Sequence, residues 1–146
     1  MSPADPASSS TVHLPPADQF TSGIAVYTLD PGTGALDGRF ALAVYGSRVS
    51  AEPCVKLQGD PGVLAGTYSC RTMTPEGSCF AEGTLTLSPV GEEGVYAIEW
   101  VLHLTDESAR RYPDWPKTMI YDAIGLASGD SMISVAWDNA KYRTPD

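Results

Sequence analysis

The sequence predicts an all-β protein, a mostly up-and-down antiparallel barrel of seven or eight strands. Residues 95–104 alternate, with Tyr96, Ile98 and Trp100 on one face, and a side-chain period of two is typical of a β-strand. Two further apolar segments flank Ser128, Gly129 and Asp130, a combination typical of a hairpin turn. Short strands divided by Gly and Pro, without a sustained 3.6-residue period, favour a sandwich or barrel.

The chain is predicted to hold one domain between two short flanking segments. Residues 1–20 are rich in Ser, Pro and Ala and are predicted to form a flexible arm, residues 21–140 the barrel, and residues 141–146 a tail. Pro75 stands at the second position of a predicted turn over residues 74–77, which makes the flanking strands a hairpin. Before the C-terminal three strands, the sequence predicts strands over residues 23–29, 36–45, 54–57 (short), 63–73 and 79–87.

Glycines inside the predicted strands favour a barrel over an open sandwich. Gly38, Gly66, Gly83 and Gly125 interrupt otherwise regular strand patterns. Glycine in a strand marks a bulge, a bend or a close backbone approach, and such positions let a sheet coil tightly enough to close. Closure also removes the edge strands that promote aggregation.

Charge and hydropathy exclude several classes of partner. The formal net charge of −9 argues against nucleic acid and anionic membranes, which bind clustered Lys and Arg. No apolar run approaches the 18 residues of a transmembrane helix. The N-terminus lacks the basic and apolar regions of a secretory signal, so a cytoplasmic location is expected.

The three cysteines, Cys54, Cys70 and Cys79, are predicted to be free thiols because their number is odd and no signal peptide is recognised. The best disulfide candidate is Cys70 with Cys79. The predicted hairpin sets Cys79 opposite Thr72 and diagonal to Cys70, which is poor geometry for a bridge. No CxxC pair or Cys/His cluster is present, so no metal and no organic cofactor are predicted.

Several predicted strands carry short motifs of glycine with aromatic or apolar residues: Gly-Thr-Tyr at 66–68, Gly-Thr-Leu-Thr-Leu at 83–87, Tyr-Ala-Ile-Glu-Trp at 96–100, Ile-Gly-Leu at 124–126 and Val-Ala-Trp at 135–137. These motifs resemble those of small bacterial barrels of the calycin kind, such as avidins and lipocalins. The likeness covers roughly residues 22–138. The polar biotin ligands of avidin have no counterpart here, so biotin binding is not implied. Barrels of similar size also include cofactor-free cyclases of bacterial natural-product pathways, a likeness at the level of fold.

An eight-stranded barrel is wide enough for a packed core or for one small ligand. The strand aromatics either fill that core or line an apolar pocket with oriented phenol and indole groups. Tyr96 and Tyr121 are candidate catalytic hydrogen-bonding groups. The candidate ligand-binding residues are Phe40, Tyr68, Trp100, Trp115 and Trp137.

Glu99 and His103 lie four apart on one strand and share a face, so they are a candidate acid and base if that face is inward. The opposite face is far more apolar, which favours an outward, solvated position for both. Asp122 shares a face with Ile120 and Ile124 and is either a buried carboxylate or an exposed residue near a strand end.

Residues 106–117 interrupt what could be a tight hairpin and contain Tyr112 and Trp115 between basic residues and prolines. Long loops in compact domains are often functional, so this one is interpreted as a lid over the barrel mouth. A solvated loop or a dimer contact is the alternative. As an exposed lid residue, Trp115 is expected to contribute to ligand binding and little to stability.

The leading functional hypothesis is a small-molecule-binding barrel acting on a hydrophobic or aromatic organic compound. In enzymatic form it would be a cofactor-free cyclase or isomerase of secondary metabolism that holds a flexible substrate in a reactive conformation. The alternative is a non-catalytic ligand carrier or a protein-interaction module, including a homodimer. No GxSxG, P-loop or GxGxxG motif is present.

Overall fold

A computed structural model of the chain describes residues 22–43 and 47–137, together with the backbone of residues 142–143. The predicted arm over residues 1–20 lies outside the described residues, as does the predicted tail apart from residues 142–143. The described elements, in chain order, are β1 (Gly23–Asp30), β2 (Ala35–Leu42), β3 (Ser50–Gln58), β4 (Gly66–Met73), β5 (Cys79–Val90), β6 (Val95–Leu104), α1 (Asp106–Arg111), β7 (Thr118–Ser128), β8 (Met132–Trp137) and β9 (Tyr142–Arg143).

Strands β1 to β8 form one closed antiparallel barrel. Their spatial order is β6-β5-β4-β3-β2-β1-β8-β7, and pairing of β6 with β7 completes the ring. Each strand therefore pairs with its neighbours along the chain, and β1 pairs with β8. The predicted all-β, up-and-down barrel is confirmed, with eight strands. The two-residue β9 adds to β7 beside Ile120 and Tyr121.

Several strand boundaries differ from the prediction, among them the end of β5, which runs to Val90 and not to residue 87. β3 is nine residues long, because the period-two pattern continues from Ser50 through Glu52 to Cys54, all three facing inward. β4 begins at Gly66 and not at residue 63, because the preceding residues belong to the β3–β4 loop. The predicted end of the second strand, residues 44–45, lies outside the described residues.

The β1–β2, β3–β4, β5–β6 and β7–β8 turns lie at one end of the barrel, which we call the upper end. Leu64 of the β3–β4 loop is 3% exposed and closes this end. The ammonium of Lys56 organises the loop by donating to the carbonyl oxygens of Asp60, Val63 and Ala65 at 2.6, 2.7 and 3.0 Å. The upper end is thus filled by the chain itself.

Gly38 and Gly83 occupy strand positions where backbone or ring atoms leave no room for a side chain. A Cβ on Gly38 would lie 2.5 Å from both the Glu52 carbonyl oxygen and the Tyr27 ring. A Cβ on Gly83 would collide with the carbonyl oxygen of Val101 on β6. Close approach, one of the expected reasons for strand glycines, therefore applies to both.

The 106–117 loop begins with the six-residue helix α1 and lies at the lower end of the barrel. The Thr105 hydroxyl caps this helix by accepting a hydrogen bond from the Ser108 backbone N–H at 3.2 Å. In the part of the chain described, α1 is shorter than two turns, as predicted, and no helix is long and apolar enough to cross a membrane.

Trp115 does not sit on the loop as an exposed residue. It is 7% exposed and contacts Phe80 of β5 edge-to-face, with ring centroids 5.6 Å apart. Tyr112 packs against the same two rings. The expectation that Trp115 is an exposed lid residue is therefore wrong, because its indole belongs to the core.

We expect Trp115→Ala to lower the free energy of unfolding by about 3–5 kcal/mol, the usual range when a large buried aromatic is truncated. Urea denaturation followed by circular dichroism measures the loss. Asp114→Ala, at an exposed neighbouring position, is the matched control and should leave stability within about 0.5 kcal/mol of wild type. Equal stability of the two variants would contradict the core position of Trp115.

Candidate functional site

The interior of the barrel contains a buried carboxyl group, that of Glu52. Its side chain projects inward from β3 and the residue is 3% exposed. Burial of a carboxyl group is costly unless hydrogen bonds satisfy it. The residues that satisfy it come from three other strands.

Three side chains donate hydrogen bonds to Glu52. The Tyr27 hydroxyl of β1 and the Trp100 indole N–H of β6 both donate to Oε1, the indole at 2.9 Å. The Thr72 hydroxyl of β4 donates to Oε2 at 2.6 Å. We call Tyr27, Glu52, Thr72 and Trp100 the Glu52 cluster. A carboxylate has about four acceptor positions, so Oε2 has capacity for one more donor beyond those of the described residues.

Strand alternation places Tyr27 of β1 and Trp100 of β6 on inward faces, from which both reach Glu52. Tyr27 stands between Ala25 and Leu29 on the inward face of β1, and its ring reaches Glu52 across Gly38, the residue between them on β2. Trp100 occupies the inward face of β6, which lies across the barrel from β3. The indole therefore spans the interior to reach the carboxyl group.

The electrostatics of the cluster increase the proton affinity of the Glu52 carboxyl group. Burial raises the pKa of Glu52, and the hydrogen bonds from Thr72, Tyr27 and Trp100 offset only part of that rise. Burial and the neighbouring Glu52 also raise the pKa of Tyr27, which keeps its phenol neutral and able to donate. A buried carboxyl group with an increased proton affinity is a suitable general acid or base.

Side chains near this cluster become less buried towards the lower end of the barrel. Phe40, Thr72 and Trp137 are only partly buried, whereas Glu52 beside them is almost fully buried. The Trp137 ring packs edge-to-face against the Trp100 indole, with centroids 5.3 Å apart. By strand register, Phe40 lies two residues below Gly38, the β2 neighbour of Glu52, and both Phe40 and Trp137 are partly exposed inward aromatics towards the lower end. We call Phe40 and Trp137 the aromatic rim.

The structure brings four of the sequence-predicted residues to this region. Trp100 belongs to the Glu52 cluster, Trp137 packs against its indole, and Tyr121 lies opposite Trp100 on the adjacent strand β7. Phe40 lies on the inward face of β2 towards the same end of the barrel. Tyr68 and Tyr96 lie nearer the upper end. The Tyr68 hydroxyl donates to the Leu64 carbonyl oxygen at 2.7 Å. Trp115 packs at the lower end against β5, away from the carboxyl group.

Glu99 and His103 lie on the outer face of β6 and are exposed, as the apolar character of the opposite face favoured. His103 Nδ1 is 2.9 Å from the Thr118 hydroxyl oxygen. Neither side chain reaches the barrel interior, so an acid–base role for them in an interior site does not fit. Asp122 pairs with Glu99 on the same outer face, so it is not a buried carboxylate of the core.

Sequence reasoning missed Tyr27, Glu52 and Thr72. The signal for Glu52 was available, since Ser50, Glu52 and Cys54 alternate with Ala51 and Pro53. Pro53 interrupts the reading of this segment as a strand, although proline can occupy strand positions that donate no ladder hydrogen bond. A strand read through Pro53 would have placed a carboxylate on the same face as a cysteine.

A second feature lies on the outside of the barrel, where apolar side chains line a groove of about 480 Å³. Its floor is Ser134 and Ala136 of β8, and its walls are Ile24 and Val26 of β1 and Ile124 and Leu126 of β7. Ile24 and Ile124 are 63% and 61% exposed. We call these six residues the outer groove.

The comparisons with known proteins do not add a family to these observations. No family model matches the chain, and neither the curated proteins nor the solved structures include a significant match. Within residues 22–43 and 47–137, no group of three or more His, Cys, Asp and Glu side chains is arranged to hold a metal ion. The geometry of the site is therefore the basis for the functional argument.

We expect the stability of the wild type to fall, relative to Glu52→Gln, as the pH rises. The pKa of Glu52 is higher in the folded than in the unfolded chain, so the stabilisation is complete below the unfolded pKa of about 4.3. It is lost as the pH rises through the folded pKa. The glutamine cannot ionise, yet its amide can accept from Tyr27 and Trp100 and donate to Thr72.

Urea denaturation at a series of pH values measures this difference in the free energy of unfolding. The matched control is Glu92→Gln, which removes one carboxylate from the exposed β5–β6 turn and reports the effect of the change in net charge. A difference between Glu52→Gln and wild type that stays constant across the acidic and neutral range would refute the raised pKa.

Proposed function

We propose that the barrel binds a small hydrophobic or aromatic organic molecule at its lower end, with the Glu52 carboxyl group as the polar anchor. The observation that carries this proposal is a buried carboxyl group in the lower half of the interior, the same end at which Phe40 and Trp137 are partly exposed. The two rings suit an apolar or aromatic ligand body. The remaining acceptor position on Oε2 suits a hydroxyl or N–H donor of the ligand.

The chemistry of the Glu52 cluster supports a functional role for Glu52 over a purely structural one. Replacing buried ionic groups by apolar ones of similar volume is often neutral or stabilising, so a brace alone does not require a carboxyl group. Ionisable groups with perturbed pKa values are concentrated at functional sites. The carboxyl group of Glu52 is such a group, and its neighbours fix its orientation through three hydrogen bonds.

In the enzymatic form of the proposal, the protein is a cofactor-free isomerase or cyclase. The Glu52 carboxylate would take a proton from one atom of the substrate and return it to another, so that no co-reactant is consumed. Tyr27 and Thr72 would position the carboxyl group by hydrogen bonding. The aromatic rim would hold the substrate in a reactive conformation. The likeness to calycin-type ligand-binding barrels and to barrel cyclases is consistent with both the binding and the enzymatic form.

The test of this proposal is a titration of hydrophobic dyes and aromatic metabolites carrying a hydroxyl or amine, followed by intrinsic tryptophan fluorescence. Trp100 and Trp137 both lie within the proposed site, so binding should change the emission. We expect Glu52→Gln to weaken binding of donor-bearing compounds by about 10-fold or more, since a hydrogen bond to a charged group is worth about 1.5–3 kcal/mol.

Glu99→Gln is the matched control and should bind like wild type, because its side chain lies on the outer face. Equal affinities for wild type and Glu52→Gln, or no binding by any compound of the panel, would overturn the proposal. Turnover of a bound compound that is lost in Glu52→Gln would favour the enzyme, and binding without turnover would favour the ligand carrier.

The outer groove favours a second candidate function, a protein-interaction module whose partner is another copy of this chain. In an antiparallel barrel in water, outward positions are normally polar. Here β1 and β7 present Ile24, Val26, Ile124 and Leu126 to solvent. A contiguous exposed patch of apolar side chains commonly marks an interaction site.

The outer groove suits self-association by its shape, and charge opposes contact least at this uncharged surface. Two copies with a net charge of −9 repel each other, and the outer groove contains no charged side chain, so contact there buries no charge. A two-fold axis between β7 and β8 would insert the Ile124–Leu126 ridge of each copy into the Ser134–Ala136 floor of the other. Such reciprocal contact is what a symmetric dimer requires.

Analytical ultracentrifugation over a range of concentrations tests the dimer. We expect the wild type to dimerise reversibly and Ile124→Glu to remain monomeric while folded. Val55→Glu is the matched control, because it adds the same charge at an exposed apolar position of β3 outside the groove, and it should dimerise like wild type. A monomeric wild type at all concentrations refutes self-association, and flotation of that monomer with neutral lipid vesicles would assign the groove to a membrane surface.

A further inference from the structure

We infer that Cys54 and Cys70 are a redox-active pair that forms a reversible disulfide inside the barrel. The two residues lie directly opposite each other on the antiparallel strands β3 and β4. Both side chains face inward, and both residues are 2% exposed. They are free thiols in this structure, as is Cys79.

The geometry of the pair already suits a bridge. Directly opposite residues of antiparallel strands have Cα atoms roughly 4.5 or 5.5 Å apart, and disulfides span roughly 4.4–6.8 Å between Cα atoms. The Cys54 thiol donates to the Glu52 backbone carbonyl oxygen at 3.4 Å, and the Cys70 thiol is close enough to raise the pKa of the Cys54 thiol. Cys79 instead pairs with Met73 next to a register shift, which removes the predicted Cys70–Cys79 arrangement.

The reaction needs a disulfide oxidant such as oxidised glutathione. One cysteine, as its thiolate, attacks a sulfur of the oxidant and releases one glutathione thiolate. The second protein cysteine, as its thiolate, then attacks the sulfur of the first protein cysteine in the mixed disulfide and releases a second glutathione thiolate. In total, two protein thiols lose two protons and two electrons, and one oxidised glutathione becomes two reduced molecules.

Burial sets the rate of this reaction. The hydrogen bond with Cys70, burial and the nearby Glu52 raise the pKa of the Cys54 thiol, which disfavours the reactive thiolate in the closed barrel. Oxidation therefore requires local opening of the β3–β4 ladder, which carries an irregularity between Lys56 and Gln58. The bridge would then fasten the strand that carries Glu52 to the strand that carries Thr72.

The experiment incubates the full chain with oxidised glutathione, blocks the remaining thiols with an alkylating reagent and analyses the products by mass spectrometry. We expect one intramolecular disulfide, with peptides containing Cys54 and Cys70 joined to each other. Formation should accelerate in urea concentrations below the unfolding transition. The bridge closes a loop of about 15 residues, so the melting temperature should rise by about 5–10 °C and return on reduction.

Cys79→Ser is the matched control, and it should form the same bridge at the same rate. Cys70→Ser should form none and keep its melting temperature on treatment with the oxidant. Joined peptides that contain Cys79, or three alkylated thiols after prolonged incubation of the wild type in sub-denaturing urea, would overturn the inference. Because the peptide map uses the wild-type chain, the result does not depend on whether the serine variants fold.

Discussion

The hydrogen bonding of one buried carboxyl group constrains the interior of this barrel. Glu52 requires donors that the apolar core cannot supply, and β1, β4 and β6 each contribute one. The indole of Trp100 must cross the interior, and the ring of Tyr27 must pass over β2 where Gly38 leaves space. Removal of any donor would leave part of the carboxyl group unsatisfied in a region of low dielectric constant. Four strands are thereby held in a fixed relation.

The two ends of the barrel differ in how completely side chains fill them, and the Glu52 carboxyl group lies nearer the less completely filled lower end. The upper end is closed by Leu64 and by the loop that Lys56 holds through three carbonyl oxygens. At the lower end, Trp115 packs against Phe80 of β5, while Phe40 and Trp137 remain partly exposed. The proposed ligand site is accordingly placed at the lower end of the barrel.

Much of the fold follows from local sequence patterns. Period-two alternation and turn residues act over a few positions, so the strands β5, β6 and β8 and the turns at Pro75 and Gly129 were predictable from neighbours in the chain. The apolar face of β6 also indicated that Trp100 points inward and Glu99 outward. Trp115 was misjudged because its burial depends on Phe80, which is 35 positions earlier in the sequence.

The sequence by itself determined the fold class, the number of strands to within one and the inward face of the aromatic strand, because each depends on short-range periodicity. Only the tertiary structure decided that Glu52 is buried. Its donors Tyr27, Thr72 and Trp100 are 25, 20 and 48 positions away, and no local pattern links them. The pairing of Cys54 with Cys70 was decided in the same way, since it depends on the register of β3 against β4. Closure of the barrel brings distant residues together, and their shared environment then sets the chemistry of the site.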